Sequence, residues 1–426
     1  MASLVTLDAI LAQARLAISD AIGKGTPVLD FLDKIGRPYK GKSLSIPVYT
    51  ADPTGIAAVA AGGNYPAVGD VTPAELTVPW AYALARFNID GPAIEAAGSD
   101  FSQLKDAVQN ESERLVRAVN RRMNRWGTSG RTVWGFLNER KNDTDKLWEM
   151  SGDVAKLAAD IVLNAGPVQC TFIDMSDYST IGNNEVSTAD AATGLITVDG
   201  ALNTTGVASD YGVAVVFSDD ATYNNEPRGM YELMGVPTYY GVDRTTAGGG
   251  GNALLQSNVI TIGVAAGANQ RGEPTLARIE ALMDLISERT RGEAVIDTAF
   301  VHARQIAGLK ALLQANTIIN VSVDGKGPKD ADAGLSGFYH GGVQYLPDVD
   351  MGKGLIVLAD SSRMKTAMLR KGDFVNDDGN GPLYQSATAD NVQGLWKKYY
   401  QLFSDAPNYM GALVGLEFPG AGDGTT

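Results

Sequence analysis

The chain has 426 residues, 44% of them hydrophobic and 20% charged, so it is long enough to bury two or three separate cores. Its formal net charge of −14 argues against a protein whose whole surface binds nucleic acid, because such proteins are normally basic. An acidic surface keeps separate copies soluble and still leaves room for a local basic stripe.

Sulfur and imidazole groups are scarce in this sequence. Cys170 is the single cysteine, and the two histidines, His302 and His340, lie far apart. The count excludes an intramolecular disulfide, and it indicates neither a Cys/His metal site nor a Ser/His/Asp or Cys/His catalytic arrangement. We expect structural roles for both histidines, and a reducing compartment such as a bacterial cytoplasm.

The first predicted element is a short amphipathic helix over residues 5–22, followed by Gly23 and Gly25. Its apolar positions repeat at helical spacing and are Leu7, Ile10, Leu11 and Ile18. We expect this segment to be a docking arm that packs on another subunit. Polar residues interrupt its apolar positions too early for a signal peptide, and no apolar run in the sequence is long enough to span a membrane.

A two-stranded ribbon is predicted over residues 41–92, because the apolar period changes there to two. The alternating residues are Leu44, Ile46 and Val48 in one strand and Leu76, Val78, Trp80, Tyr82 and Leu84 in the other. Phe87 and Ile89 continue with shifted parity, which predicts a bulge near Ala85. The tip, residues 52–75, has almost no large apolar residue to bury. Since an isolated ribbon is marginal in water, we expect adjoining copies to complete it, with these contact residues: Ile46, Val48, Tyr65, Val78, Trp80 and Tyr82.

The strongest helix signal covers residues 100–126, with Gly127 predicted to end it. Its apolar stripe comprises Leu104, Val108, Leu115, Val119, Met123 and Trp126. A second, basic stripe on its flank comprises Arg114, Arg117, Arg121 and Arg125. Two interpretations stay open for these arginines. They form either a solvated face whose positive charges interact favourably with the helix C-terminus, or a row of contacts to DNA phosphates that is independent of base sequence.

The rest of the chain mixes helices and strands, which predicts an α+β fold. Helices are expected at residues 146–164, 275–290 and 302–315, and a β-rich region from Val168 to Phe217. Further strands are expected at 294–301, at Leu355–Ala359 and at 394–404, and the glycine run 248–251 reads as a flexible joint.

Residues 36–43 satisfy the P-loop pattern GxxxxGKS, but a strand pattern follows them where that motif requires a helix. We therefore interpret the match as chance and expect no catalytic, cofactor-binding or metal-binding residues. The turn around Asp377 and Asp378 lacks the ligand spacing of an EF-hand and is interpreted as solvated.

The order of these elements resembles the Hong Kong 97-type fold of tailed-phage major capsid proteins. In that family an N-terminal arm leads into an extended loop, the E-loop, followed by a long spine helix and two domains called peripheral and axial. Several local stretches are similar to the family: 124–130, 226–235, 293–313, 354–360, 389–400 and 411–418. The resemblance implies these segments: arm 1–40, E-loop 41–92, peripheral domain with spine helix 93–150, a β-rich insertion 151–225, axial domain 226–372, peripheral return strands 373–407, and axial end and tail 408–426.

The resemblance implies a non-enzymatic subunit that assembles with itself into hexamers and pentamers of an icosahedral or prolate shell around double-stranded DNA. It further implies a virion location, assembly in the host bacterial cytoplasm, portal, scaffolding and decoration proteins as partners, and no membrane. Some members crosslink through an E-loop lysine, but residues 52–75 contain none, so we expect no such crosslink. Two alternatives stay open: an encapsulin-like nanocompartment shell that loads protein cargo, and a P-loop enzyme acting through Lys42.

Overall fold

The computed structural model describes most of the chain between residues 26 and 417, and its α+β class agrees with the sequence prediction. The described ranges are 26–49, 58–59, 63–64, 73–90, 92, 101–130, 133–142, 146–152, 154–163, 165–174, 180–199, 214–218, 226–234, 238–244, 255–262, 264–265, 268–269, 272–316, 338–375, 383–385 and 391–417. The predicted arm helix at 5–22, Tyr65, the glycine run 248–251 and the turn at 377–378 lie outside them.

The described helices lie close to the predicted ones in most of the chain. They are α1 Pro27–Lys34, α2 Phe101–Thr128, α3 Val154–Leu163, α4 Met230–Met234, α5 Leu276–Arg289 and α6 Ala303–Asn316. Gly127 does not end α2, which continues to Thr128. It permits close packing instead, since a β-carbon at Gly127 would lie 2.7 Å from Leu32 Cδ1 of α1.

The first large sheet carries α2 on one of its faces. Its strands are β1 Gly36–Pro38, β4 Ala81–Asp90, β20 Met364–Phe374, β21 Leu383–Gln385 and β22 Asn391–Ser404. Strand β22 pairs antiparallel with both β20 and β4, although β4 lies about three hundred residues earlier in the chain. Phe87, Trp396 and Met123 lie in the apolar core shared by this sheet and α2.

The second large sheet has six strands in the order β13-β23-β19-β16-β18-β17. Their ranges are β13 Asn258–Thr261, β16 Thr298–His302, β17 Phe338–His340, β18 Val343–Asp348, β19 Ile356–Ala359 and β23 Met410–Val414. Two short two-stranded pairs lie apart from it, β11 Thr238–Tyr239 with β12 Val242–Asp243 and β14 Val264–Ala265 with β15 Ala268–Asn269. Buried side chains of α5, including Ile279, Leu282 and Ile286, pack into the same core as this sheet. Strand β23, the last strand of the described chain, lies in this sheet between β13 and β19.

A closed six-stranded barrel interrupts the chain between α2 and α4. Its strands follow the order β10-β5-β6-β9-β8-β7, with ranges β5 Val133–Asn142, β6 Leu147–Gly152, β7 Val168–Asp174, β8 Thr180–Asp190, β9 Leu195–Asp199 and β10 Ala214–Ser218. Large apolar side chains such as Trp134, Trp148 and Phe172 fill its core. The barrel is the predicted β-rich insertion, but it begins at Val133 rather than at 151.

The prediction of one helix over residues 146–164 is wrong in its first part. Residues Leu147–Gly152 form β6, which pairs with β5 and β9, and only Val154–Leu163 are helical. Leucine, glutamate and methionine favour helices locally, but closure of the barrel requires a strand at this place.

The predicted pairing of the two ribbon strands is confirmed. The prediction that adjoining copies cover their apolar side chains is wrong for the described strands. Strands β2 Ser43–Tyr49 and β3 Pro73–Pro79 form an antiparallel hairpin in which Leu44 lies opposite Val78. Val48, Val78 and Trp80 are nevertheless buried in the largest core of their own chain, with Ile46 packed against it. The two paired strands therefore need no neighbour to cover their apolar face, because the chain itself supplies the apolar partners.

The predicted bulge near Ala85 is also wrong. Strand β4 keeps a continuous register with β22, and the parity changes at the break between Trp80 and Ala81. As a result Ala83, Phe87 and Ile89 face the core, whereas Tyr82 and Leu84 are each 58% exposed.

Two predicted boundaries change for the same reason, namely pairing between distant segments. Helix α1 and strand β1 belong to the body rather than to an arm reaching residue 40, since Val28 and Leu32 are buried and β1 pairs with β20. Strand β20, Met364–Phe374, pairs with β22 in the first sheet, so this strand crosses the boundary predicted at 372.

Candidate nucleic-acid and assembly surfaces

The predicted arginine stripe divides into an exposed part and a buried part. The side chain of Arg114 is 77% exposed and that of Arg117 is 65% exposed, and Arg121 is exposed as well. Arg114 pairs with Glu111 at 3.1 Å and Arg117 with Glu113 at 3.2 Å, which are ordinary solvent-exposed pairs along one helix. The exposed part of the stripe can meet an anionic surface from solvent.

Arg125 was predicted to belong to this exposed stripe, but it lies inside the protein. Its side chain is 2% exposed and its Nη2 donates to both carboxylate oxygens of Glu226, at 3.0 and 2.9 Å. Burial raises the pKa of Glu226, and the neighbouring Arg125 charge opposes that rise. A DNA strand cannot reach a guanidinium held in this way, so Arg125 is removed from the candidate contact residues.

The Arg125–Glu226 pair holds together the two ends of the barrel insertion. Helix α2 ends at Thr128, Gly130 follows it before the barrel, and Glu226 lies after the barrel in the chain. Gly229 approaches Gly130 so closely that a β-carbon on Gly229 would overlap the Gly130 backbone. These residues form a narrow neck at which the barrel joins the rest of the subunit.

A second polar junction connects α2 with α1 and with the end of strand β18. Asn124 accepts a hydrogen bond from the Leu29 amide at 3.1 Å and donates from Nδ2 to Asp348 at 2.8 Å and to Asp350 at 2.7 Å. Burial raises the pKa of Asp348, while hydrogen bonds from the backbone of Asp350, the side chain of Asn124 and the backbone of Val28 oppose the rise. Asn124 thus fixes the long helix to the second sheet through two carboxylates.

The barrel has its own docking contact, directly after that junction. Lys353 forms a buried ion pair with Glu149 of the barrel, and its backbone amide donates to Asn138 at 2.9 Å. Ser151 donates to the carbonyl of Met351 at 3.0 Å. Residues 348–353 therefore contact the long helix at one end and the barrel at the other.

A groove of about 760 Å³ lies where these parts meet. The described residues in its lining are Thr26, Leu84, Ala85, Ala118, Val119, Arg121, Arg122, Asn124, Arg125, Gly152, Val349 and Asp350. Two large apolar side chains on its wall are mostly exposed, Leu84 at 58% and Val349 at 64%. These two side chains leave apolar surface beside the charged groups of the groove.

Both histidines lie beside other groups of the protein. His302 ends β16 and its Nδ1 accepts from the Arg304 amide at 3.1 Å. Burial, with Arg304 nearby, lowers the pKa of His302 to about 4, so it is neutral at physiological pH. His340 precedes a turn with two glycines and lies 3.5 Å from Glu280. Across the described ranges, no group of three or more His, Cys, Asp or Glu side chains is placed to hold a metal ion.

The P-loop match lies on a strand, a bend and a second strand. Gly36–Pro38 form β1, and the segment leaving Ser43 is strand β2, as predicted. Lys42 is exposed before that strand rather than at the start of a helix. The geometry that lets a P-loop bind phosphate is a helix N-terminus, and β2 takes its place here.

Several residues of these junctions were not predicted from the sequence. They are Asp33, Asn124, Glu149, Glu226, Asp348, Asp350, Lys353 and Lys398, the last of which pairs with Asp33 at 2.6 Å. Their partners lie far away in the chain, 224 positions for Asn124 and Asp348. The one local signal was the stretch Asn124–Gly130, whose small and polar residues stay buried at the end of an amphipathic helix.

Among the helices that the structure describes, none is both long enough and apolar enough to cross a membrane. No protein-family model matches the chain, and no curated protein matches it.

Solved structures match most of the chain. A cyanophage A-1(L) capsid subunit is 14% identical with a TM-score of 0.48, over 92% of this chain and 93% of that chain. The capsid of a native GTA particle is 11% identical with a TM-score of 0.46, over 91% of each chain. A virus-like particle from Pyrococcus furiosus is 8% identical with a TM-score of 0.38, over 94% of this chain and 98% of that chain. At these identities the similarity concerns fold alone.

Proposed function

We propose that this chain is the major capsid protein of a tailed double-stranded DNA phage, a shell subunit that acts by assembling with copies of itself. The order of the parts supports this proposal most directly. A hairpin precedes a long helix, the helix packs on a sheet of long strands, and a separate six-stranded sheet follows. The chain then returns through β22 and β23 to both sheets. This is the order that the Hong Kong 97-type resemblance implies.

The hairpin supplies the feature most suited to assembly. Among the described residues, β2 and β3 pair only with each other, and the polar face formed by Ser45, Glu75 and Thr77 stays exposed. Val48, Leu76 and Val78 bury the other face against the core of their own chain, so both strands are fixed on the body of the subunit. We infer that the segment between β2 and β3 lies across a neighbouring subunit, where it gains the partners that its composition lacks.

The cyclic arrangement follows from contacts of this kind. A hairpin that binds a different surface on the next copy makes a heterologous interface, and such an interface gives a ring when the rotation between copies closes. We propose hexamers and pentamers as those rings, in an icosahedral or prolate shell assembled in the bacterial cytoplasm. Portal, scaffolding and decoration proteins are the further partners proposed for the virion.

The exposed arginines support a second part of the proposal, an inner surface that contacts packaged DNA without sequence preference. Residues 111–122 carry four arginines and two glutamates, so this stretch of α2 is basic in an acidic protein. Arg114, Arg117 and Arg121 are the proposed contacts. Guanidinium groups bind phosphate strongly, and contacts to the phosphate backbone of DNA carry no information about the base sequence.

The experiment is expression of the full chain in bacteria, followed by size-exclusion chromatography and negative-stain electron microscopy. Closed shells or rings eluting far above the 44.9 kDa subunit support the proposal. A species of one or two subunits that binds nucleotide through Lys42 contradicts it. Particles that copurify with an enzyme rather than with nucleic acid indicate the encapsulin-like alternative.

A further inference from the structure

Negative charge is concentrated in one part of this chain. Residues 157–227 contain ten aspartates and glutamates and no lysine, arginine or histidine, so they carry most of the net charge of −14. They include most of helix α3 and the barrel strands β7, β8, β9 and β10. A surface with charges of one sign alone repels surfaces of the same sign and attracts a basic one.

The exposed carboxylates of this region lie on neighbouring barrel strands, with Glu185 and Asp190 on β8 and Asp199 on β9. Glu185 lies directly opposite Asp199 in the pairing of the two strands. Like charges at opposite positions of a sheet are destabilising, so a cation brought to them from outside is favourable. Helix α3 packs against β8, and its last residues Val162 and Leu163 are 78% and 79% exposed. These five residues define the acidic barrel face.

The basic segment, residues 34–42, has the opposite charge pattern and overlaps the P-loop match. Its cations are all exposed, and no acidic residue lies among them: Lys34, Arg37, Lys40 and Lys42. The backbone that carries them is fixed on the body, since Gly36–Pro38 pair with β20. The Tyr39 amide donates to the Met368 carbonyl at 2.9 Å, and Trp80 Nε1 donates to the Gly41 carbonyl at 2.8 Å. Charges on a fixed backbone lose less conformational freedom when they bind a partner.

We propose that the basic segment of one copy binds the acidic barrel face of a second copy. This inference rests on the proposed self-assembly and adds which two surfaces meet. Both surfaces stay exposed in the folded subunit. The barrel is held on its own body by the Arg125–Glu226 and Lys353–Glu149 pairs, so the two surfaces do not cover each other within one copy. A contact between two different surfaces of two copies is heterologous, as is the contact proposed for the hairpin.

The chemistry of the two surfaces determines how the contact responds to salt. Exposed ion pairs are individually weak and are screened by salt, so their main contributions are the choice of partner surface and the rate of association. Val162 and Leu163 add exposed apolar area to the acidic side, and Pro38 is exposed on the basic side. Covering apolar area supplies a part of the interaction that salt does not screen. We therefore expect the contact to weaken at high ionic strength without disappearing.

Exchange of charge between the two surfaces tests the proposal. Arg37→Glu with Lys40→Glu reverses the basic segment, and Glu185→Lys with Asp199→Lys reverses the barrel face. We expect each double variant to lower the yield of closed shells several-fold, and the combination of all four substitutions to restore most of that yield. A double variant that assembles like the unaltered chain overturns the proposal, and so does a combination that restores nothing.

A matched control makes the same change of charge elsewhere. Arg289→Glu with Arg304→Glu reverses two exposed cations on α5 and α6 and should leave the shell yield unchanged. If reversal of the basic segment instead lowers the DNA bound by particles, and reversal of the barrel face does not restore it, the segment contacts phosphate and the proposal is overturned.

Carbodiimide crosslinking of the unaltered chain detects the contact directly, because the reagent joins an amine to a carboxylate that touches it. Isotope-labelled and unlabelled subunits are mixed at low salt, crosslinked, digested and analysed by mass spectrometry. Mixed-isotope peptides that join Lys40 or Lys42 to Glu185, Asp190 or Asp199 support the proposal. Absence of these links, or links within one isotope only, overturns it. The measurement requires no closed shell, so a failure of shell assembly contradicts the proposed function, whereas the crosslinks alone decide this inference.

Discussion

Arg125 in the long helix before the barrel and Glu226 in the segment after it form a buried ion pair at 2.9 Å, 101 positions apart in the sequence. The pair closes the neck through which the barrel joins the subunit. Removing one partner leaves the other charge buried, and for that reason Arg125→Met should lower the free energy of unfolding by about 3–5 kcal/mol. Denaturant unfolding of unassembled subunits measures this.

The matched control is the double variant Arg125→Met with Glu226→Leu, which removes both charges and should recover most of the loss. Arg114→Met supplies the exposed comparison, because its pair with Glu111 lies in solvent and should contribute little. A single variant at Arg125 that unfolds at the wild-type midpoint contradicts the role of the pair.

Gly229 should tolerate no side chain, since a β-carbon there overlaps the backbone of Gly130. We expect Gly229→Ala to cost about 1–3 kcal/mol, as overpacking does in other tightly packed sites. Gly241→Ala is a poorer comparison because of its positive φ, so Asn110→Ala on the exposed face of α2 serves as the control, since alanine is well tolerated inside a helix. Thermal melts that show Gly229→Ala at wild-type stability would contradict the close approach of the two ends.

Acid should stabilise the junction at Asp348. Burial raises the pKa of Asp348 in the folded protein above the ordinary 3.8. Protonation of Asp348 therefore stabilises the folded state, fully below pH 3.8, and this stabilisation is lost as the pH rises through the raised pKa. Asp348→Asn removes this titration. The stability of the wild type relative to the variant should therefore increase as the pH falls from about 7 to about 4. Paired melts at several pH values measure it, and a difference that is flat or shrinks on acidification contradicts the assignment.

Charge reversal on the long helix tests the DNA surface separately from assembly. Arg117→Glu with Arg121→Glu should reduce the DNA retained by particles and leave the number of empty shells unchanged. For purified subunits, each lost phosphate contact should lower the slope of log affinity against log salt by about 0.9. Lys371→Glu, an exposed cation on β20, is the control. Equal DNA content in both variants would remove the arginines from the proposal.

The sequence predicted those elements that depend on local periodicity. Helix α2, helices α5 and α6, strand β22 and the β2–β3 pairing all follow from apolar spacing, which a single segment carries within itself. The sequence did not predict which surface covers the apolar face of the hairpin, because Val78 and Trp80 are buried by residues far away in the chain. The barrel strand Leu147–Gly152 was missed for the same reason.

The candidate site shows the same limit in its charges. The exposed arginines were predicted correctly as a flank of α2, whereas Arg125 continues their spacing and is buried by Glu226. Helical spacing identifies the face of a residue on its own helix, and it contains no information about what packs there. Asn124 and Asp348 illustrate this too, since neither residue has a local signal for the other.

Deletion of residues 53–72, between the two strands of the hairpin, tests most directly whether neighbouring copies are joined through this segment. The hairpin base keeps its own core, so the deleted subunit should stay folded and soluble. Analytical ultracentrifugation and electron microscopy of the purified protein should then show mostly monomers, with few rings or closed shells. Normal closed shells from the deleted chain, in the yield of the full chain, would contradict assembly through the hairpin.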